Sequence, residues 1–109
     1  MKLQEKEIES LSHHLPKGSL SRVLEWFHLY EFSLKISRPR TSKLGDYRSP
    51  FNGKGHRISV NSNLNPYAFL ITLAHEIAHL IVWEKYKNKV KPHGREWKRE
   101  YALLMTDFM

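Results

Sequence analysis

Residues 66–87 read PYAFLITLAHEIAHLIVWEKYK, and this stretch decides the fold. Asn65 precedes it as a capping side chain. Pro66 takes the first helical position, where its missing N–H leaves nothing unsatisfied. The apolar residues that follow fall on nearly every side of a 3.6-residue period, so the predicted helix runs through the core rather than along the surface. From Tyr67 to Trp83 the interruptions are Thr72, His75, Glu76 and His79. They make a membrane span a poor reading of the segment.

Three of those interruptions form the pattern H-E-x-x-H. An unpaired His or Glu inside a core helix is costly, so three in five positions need a shared reason. Residues four apart on a helix lie about 40° apart around its axis and one turn along it. The imidazoles of His75 and His79 can therefore reach one metal ion, and tetrahedral Zn²⁺ takes such nitrogens at about 2.0–2.1 Å. Glu76 is rotated by about 100° from His75. It stands beside the metal, where it can take a proton from water. A zinc site that works on substrate also needs a third protein ligand and an open position. His93, Glu96 and Glu100 are all within reach, 14, 17 and 21 residues past His79. His93 is favoured: Gly94 beside it lets the chain approach closely, and three neutral imidazoles leave the ion its full charge.

Outward from this helix the elements are shorter. Leu3, Ile8, Leu11 and Leu15 mark one apolar stripe on a helix over Leu3 to Leu15, broken by Pro16-Lys17-Gly18. Ser19 or Ser21 then caps a second helix with Leu20, Val23, Leu24, Phe27 and Tyr30 on one face. Alternation over Glu31 to Ser37 predicts a strand with Phe32, Leu34 and Ile36 pointing one way. Residues 38–55 are expected to be irregular, with turns at Gly45 and at Asn52-Gly53. His56 to Val60 is a second strand, either internal or at a sheet edge where a peptide could add. After a loop over Asn88 to Pro92, a last helix from about Arg95 carries Trp97, Tyr101, Leu104 and Phe108 on one face. The fold class is α+β: two N-terminal helices, a small twisted sheet, the long H-E-x-x-H helix and a C-terminal helix.

The chain of 109 residues is read as one domain, 1–109. With no Cys it excludes disulfides, a thiol nucleophile and a Cys-based zinc ribbon. The charged start MKLQEKEIES is no signal peptide, so a cytoplasmic monomer is expected. The net charge of +7 is uneven: residues 1–34 carry −1, residues 35–60 carry +6 and residues 61–109 carry +2. Lys35, Arg38, Arg40, Lys43, Arg48, Lys54 and Arg57 supply the basic middle, the expected place for weak, salt-dependent DNA binding. His56 is read as a surface or supporting residue, and His13, His14 and His28 as ordinary helix residues. Trp26, Trp83 and Trp97 are read as core aromatics, with Trp83 near enough to His79 to border a cleft.

HEIAHLIVWEKY followed by PHGREWK, with SRPRTSKLGDYR and HRISVNSNLN before them, resembles the SprT-like (Spartan-type) zinc metalloproteases over about residues 19–105. The H-G-x-x-W-K element is more particular than H-E-x-x-H, which many zincins share. The resemblance implies a compact zincin-like fold, a Zn²⁺ cofactor held by His75, His79 and His93, and Glu76 as the catalytic glutamate. It also implies hydrolysis of protein substrates, including proteins bound or crosslinked to DNA. The competing class is a non-proteolytic module in which zinc is structural and the basic middle binds nucleic acid. An intact Glu76 argues against it, because a purely structural site needs no base.

Overall fold

A computed structural model describes residues 3–108. Its elements are α1 (Glu5–Ser12), α2 (Leu20–Tyr30), β1 (Phe32–Ser37), β2 (Gly45–Arg48), β3 (His56–Asn61), α3 (Pro66–Tyr86) and α4 (Arg95–Thr106). The fold is α+β. The first helix ends earlier than its apolar stripe suggests. Leu15 precedes Pro16, whose ring disfavours helical backbone at that residue, yet Leu15 remains buried. Ser19 stands at the start of α2, where its hydroxyl donates to the Pro16 carbonyl at 2.7 Å rather than capping the first turn. Asn65 caps α3 as its sequence indicates, its Oδ1 accepting the Ala68 N–H at 2.9 Å.

The sheet has the order β1-β3-β2. β1 runs parallel to β3, with Phe32 opposite His56 and Ile36 opposite Val60. β2 runs antiparallel to β3, with Gly45 opposite Val60 and Tyr47 opposite Ile58. The strand at His56 is therefore central, and β2 is an edge. β2 lies inside the stretch expected to be irregular. It has four residues and starts with Gly-Asp, a poor strand former, so its conformation comes from pairing with β3 rather than from its own composition.

Because strand side chains alternate between faces, Phe32, Ile58 and Val60 share the face that packs the helices, and all three are buried. Leu34 and Ile36 share that face but are only half-buried against the core. The other face carries Lys35, Asp46, Arg48, Arg57 and Ser59. α3 contacts β2, β3 and α4, and Phe69, Leu73, Ala74, Ile77 and Ala78 on it are fully enclosed. On length and hydropathy α3 would pass as a membrane span, but most of it is buried inside the fold.

Candidate metal centre

α3 delivers His75 and His79 to one spot, and the turn before α4 brings His93 to meet them. Nε2 of His79 lies 3.3 Å from Nε2 of His75, and Nε2 of His93 lies 3.0 Å from each. Ligand nitrogens at about 2.0–2.1 Å from a tetrahedral ion are about 3.3 Å apart. The triangle therefore fits one such ion standing just off its plane. The triangle is also hard to explain as hydrogen bonding. Burial, then the other histidines, hold His75 below its ordinary value and His79 down to about 4. A neutral Nε2 bears either a proton or a lone pair, so at most two of the three contacts can be hydrogen bonds, and the third sets like against like unless a cation lies between the rings.

His93 reaches this position through its own backbone. Its φ is 58°, left-handed for a residue with a Cβ, a strain of about 1 kcal/mol that the surroundings must hold in place. Gly94 has ordinary extended backbone. Its value is steric: a Cβ there would lie 3.1 Å from the Lys91 carbonyl oxygen. Neither competing carboxylate joins the triangle. Glu100 is buried and accepts from Lys85 Nζ at 2.7 Å, and among the described residues the metal-capable cluster is His75, His79 and His93.

Trp97 does more than fill the core. Its ring centroid lies 4.7 Å from that of His75, 5.6 Å from His79 and 4.9 Å from His93. Its indole N–H donates to the His75 carbonyl at 3.2 Å. One side chain thus braces all three imidazoles and ties α4 to α3. Its place on the apolar face of α4 could not reveal this, because two of the three partners, His79 and His75, lie 18 and 22 residues away.

Glu76 is 7% exposed, and its carboxylate makes no hydrogen bond among the described residues. Burial first, then the charge of Asp46, raise it to about 7, against a lowering pull from Arg40 and Lys43. Gly45 makes room for it: a Cβ at that position would lie 3.0 Å from Glu76 Oε2 and 2.6 Å from Thr72 Cγ2. The edge strand therefore reaches the base through a residue without a side chain.

Beside His79 an open cleft of about 290 Å³ is walled by Tyr47, Trp83 and Trp97, with Lys87 and Lys91 at its rim. Trp83 does border it. Behind Tyr47 lies His56, buried and in the interior rather than at the surface. Its Nδ1 is 2.8 Å from the Tyr47 hydroxyl, and its Nε2 is 2.5 Å from Glu84 Oε1. Burial, then Glu84, raise the Tyr47 phenol above its ordinary value, so it keeps its proton.

The expected nucleic-acid residues are gathered in part. Lys35, Arg38, Arg40, Lys43, Arg48 and Arg57 line a groove of about 960 Å³ on the open face of the sheet, while Lys54 lies outside it. Several are engaged within the protein. Arg40 donates to Asn61 Oδ1 at 2.8 Å and to Ser59 Oγ at 3.0 Å. Lys43 and Arg48 both pair with Asp46, at 3.4 and 3.2 Å. Asn61, buried at the end of β3, also donates to the carbonyls of Arg40 and Lys43 and so pins this loop to the sheet.

Residues 20–107 match the model of the SprT-like family. The chain is 34% identical over 83 residues to Protein SprT of Escherichia fergusonii, a match covering 67% of this chain and 50% of the relative. Protein SprT of Salmonella arizonae is 33% identical over 81 residues, covering 65% and 48%. Protein SprT of an Enterobacter species is 32% identical over 80 residues, covering 64% and 48%. The chain thus spans about half the length of the curated relatives it matches.

Proposed function

The chain belongs to the SprT-like family, and we propose that it is a zinc-dependent metallopeptidase acting on protein or peptide substrates in the cytoplasm. The observation that carries this reading is the triangle of three Nε2 atoms, 3.0–3.3 Å apart, with an unbonded buried carboxylate one residue along the same helix. His75, His79 and His93 would hold the ion, which when bound polarises a scissile carbonyl and acidifies water. Glu76 takes the proton from the attacking water and passes it to the departing amine. Burial raises its affinity for protons in the metal-free chain and the charge of a bound ion would pull it back down, and a base near neutrality gives a proton back as readily as it accepts one. β2 supports the binding of an extended chain. As an edge strand it has backbone N–H and C=O groups without a sheet partner on one side, and a peptide laid along it would pass the cleft beside His79.

Glu76→Gln tests the reading. Gln is nearly isosteric and is no base. The variant should keep zinc and fold while hydrolysis of a casein-type substrate falls by about 10²-fold or more. Cleavage near the wild-type rate in protein freed of contaminating protease would remove Glu76 from this role.

A second reading, compatible with the first, concerns DNA. The groove on the open sheet face collects six cationic side chains, a shape and charge that suit a phosphate backbone. Substrates bound or crosslinked to DNA would bring that backbone with them.

A further inference from the structure

Tyr47, His56 and Glu84 form a chain of hydrogen bonds across three elements, and hydrolysis as described above uses none of them. A buried imidazole is tolerated when both ring nitrogens are satisfied, and here both are. For packing alone a Phe at 47 and an apolar residue at 56 would serve. When the His56 ring carries one proton, the pattern instead sets the direction of a hydroxyl. Glu84, as a carboxylate, accepts from Nε2–H of His56. With one proton on the ring, that commitment leaves the lone pair on Nδ1, where it accepts from the Tyr47 hydroxyl at 2.8 Å. With its proton turned toward His56, the phenolic oxygen is left with acceptor capacity. Tyr47 lines the cleft shared with His79, its ring near-parallel to the His79 ring at 6.5 Å between centroids. It also stands on β2, the edge beside which an extended chain would lie.

We propose that Tyr47 orients the substrate: its phenolic oxygen accepts a backbone N–H of an extended peptide in the cleft. His56 and Glu84 are positioning residues that act through it. A phenol that donates to a strongly polarised imidazole is a better acceptor than a free one. No proton changes owner in this contact. The Tyr47 proton stays on its oxygen, pointed at His56. The selectivity that follows is for a secondary amide at one position of the substrate, and a proline or N-methylated residue there is disfavoured. This inference rests on the peptidase reading, because it takes a peptide as the ligand.

The experiment measures binding rather than turnover. The zinc-loaded protein is titrated with a short peptide hydroxamate and with a set of analogues, each N-methylated at one amide. Tyr47→Phe should weaken the parent peptide about 5- to 10-fold, the effect of one uncharged hydrogen bond, and leave unchanged the affinity of one N-methyl analogue. Glu84→Ala, at an exposed residue that threatens no packing, frees the His56 tautomer. It should weaken the parent about 2- to 5-fold and spare the same analogue. Melting temperature and zinc content report whether each variant is folded and loaded. Equal binding of the parent by wild type and Tyr47→Phe overturns the proposal. So does a Tyr47→Phe loss of the same size for every analogue, which would mean packing rather than an N–H contact. Failure of the wild type to bind any of the peptides overturns it as well. If binding depends on Tyr47 as expected but the loaded wild type cleaves no peptide, hydrolysis is the reading that falls and the contact stands.

Discussion

The two faces of the small sheet hold their polar groups in opposite ways. On the open face a cationic excess is only partly answered by neighbours: Asp46 takes both Lys43 and Arg48 and Arg40 donates to Asn61 and Ser59, while Lys35, Arg38 and Arg57 have no ion-pair partner among the described residues. At the metal centre beneath the helix face the groups converge without answering one another, unlike Tyr47, His56 and Glu84 beside it. Three imidazoles point the same nitrogen at a common centre, and Glu76 lies buried without a hydrogen bond among the described residues. A face with one acid among six cations keeps a net positive charge available to a polyanion. A site that leaves its polar groups unmatched is prepared for something absent from the chain, since unmatched buried polar groups are otherwise destabilising.

Metal affinity is where this contrast should have its largest effect. His93→Ala removes a corner of the triangle and should lower zinc affinity beyond the range of a supporting residue. Trp97→Leu leaves all three ligands but removes their common brace, and should cost about 10- to 100-fold. Trp97→Phe keeps a ring and loses only the N–H to the His75 carbonyl, so it should fall between Trp97→Leu and wild type. Glu96→Ala and Glu100→Ala should leave affinity unchanged. Competition with a chromogenic chelator ranks all five. A glutamate variant that strips the metal while His93→Ala retains it would reverse the assignment.

What was legible in the sequence follows the range of the interactions. α3 and its H-E-x-x-H face were readable because helix geometry fixes the relation of His75, Glu76 and His79 over one turn. His93 was readable from spacing and from the H-G-x-x-W-K element, although the strain sits on His93 itself and not on Gly94. β2 was not readable, because four residues beginning Gly-Asp carry no pattern of their own. What selects Gly45 is close packing against Thr72 and Glu76, 27 and 31 positions later in the chain. His56 gave no local sign of being enclosed between Tyr47 and Glu84, partners 9 and 28 residues away. Trp97 looked like any core aromatic on an amphipathic helix. Each miss is a contact whose two halves are ordinary in isolation.

The open face offers a second, smaller effect. If its groove binds DNA, the cations without an ion-pair partner should matter most. Lys35, Arg38 and Arg57 line it and have none among the described residues, whereas Lys43 and Arg48 share Asp46. Replacing the first three by Gln should reduce the slope of log affinity against log salt by about 2 to 3. Replacing Lys43 and Arg48 should change it less, because their charge is already partly cancelled. Fluorescence anisotropy on a short duplex at several salt concentrations checks both. Equal slopes for wild type and both variants would make the groove a solvated surface and leave the helix face as the only functional side of the sheet.

The smallest effect is on stability, and its sign separates the groups of the helix face from one another. In the metal-free protein His79 is held down to about 4, by burial and then by its histidine neighbours. Between pH 4 and its ordinary value of 6.5 the unfolded chain binds a proton there that the folded chain refuses. Its contribution is therefore present above 6.5 and lost as pH falls toward 4. Glu76 is raised from 4.5 to about 7, by burial and then by Asp46. Across that interval the folded chain keeps a proton that the unfolded chain has released. This contribution is present below 4.5 and lost as pH rises through 7. The slopes of His79 and Glu76 oppose each other between pH 4.5 and 6.5, with His75 adding to that of His79, so the wild type should show a shallower dependence there than a variant without Glu76. Glu76→Gln deletes one of them. The metal-free variant should gain stability with rising pH more steeply than wild type over that window, by urea unfolding with a chelator present. Parallel curves would mean that Glu76 keeps an ordinary carboxylate affinity in the folded chain. Its tuning as a base would then have to come from the bound metal rather than from its burial beside Gly45.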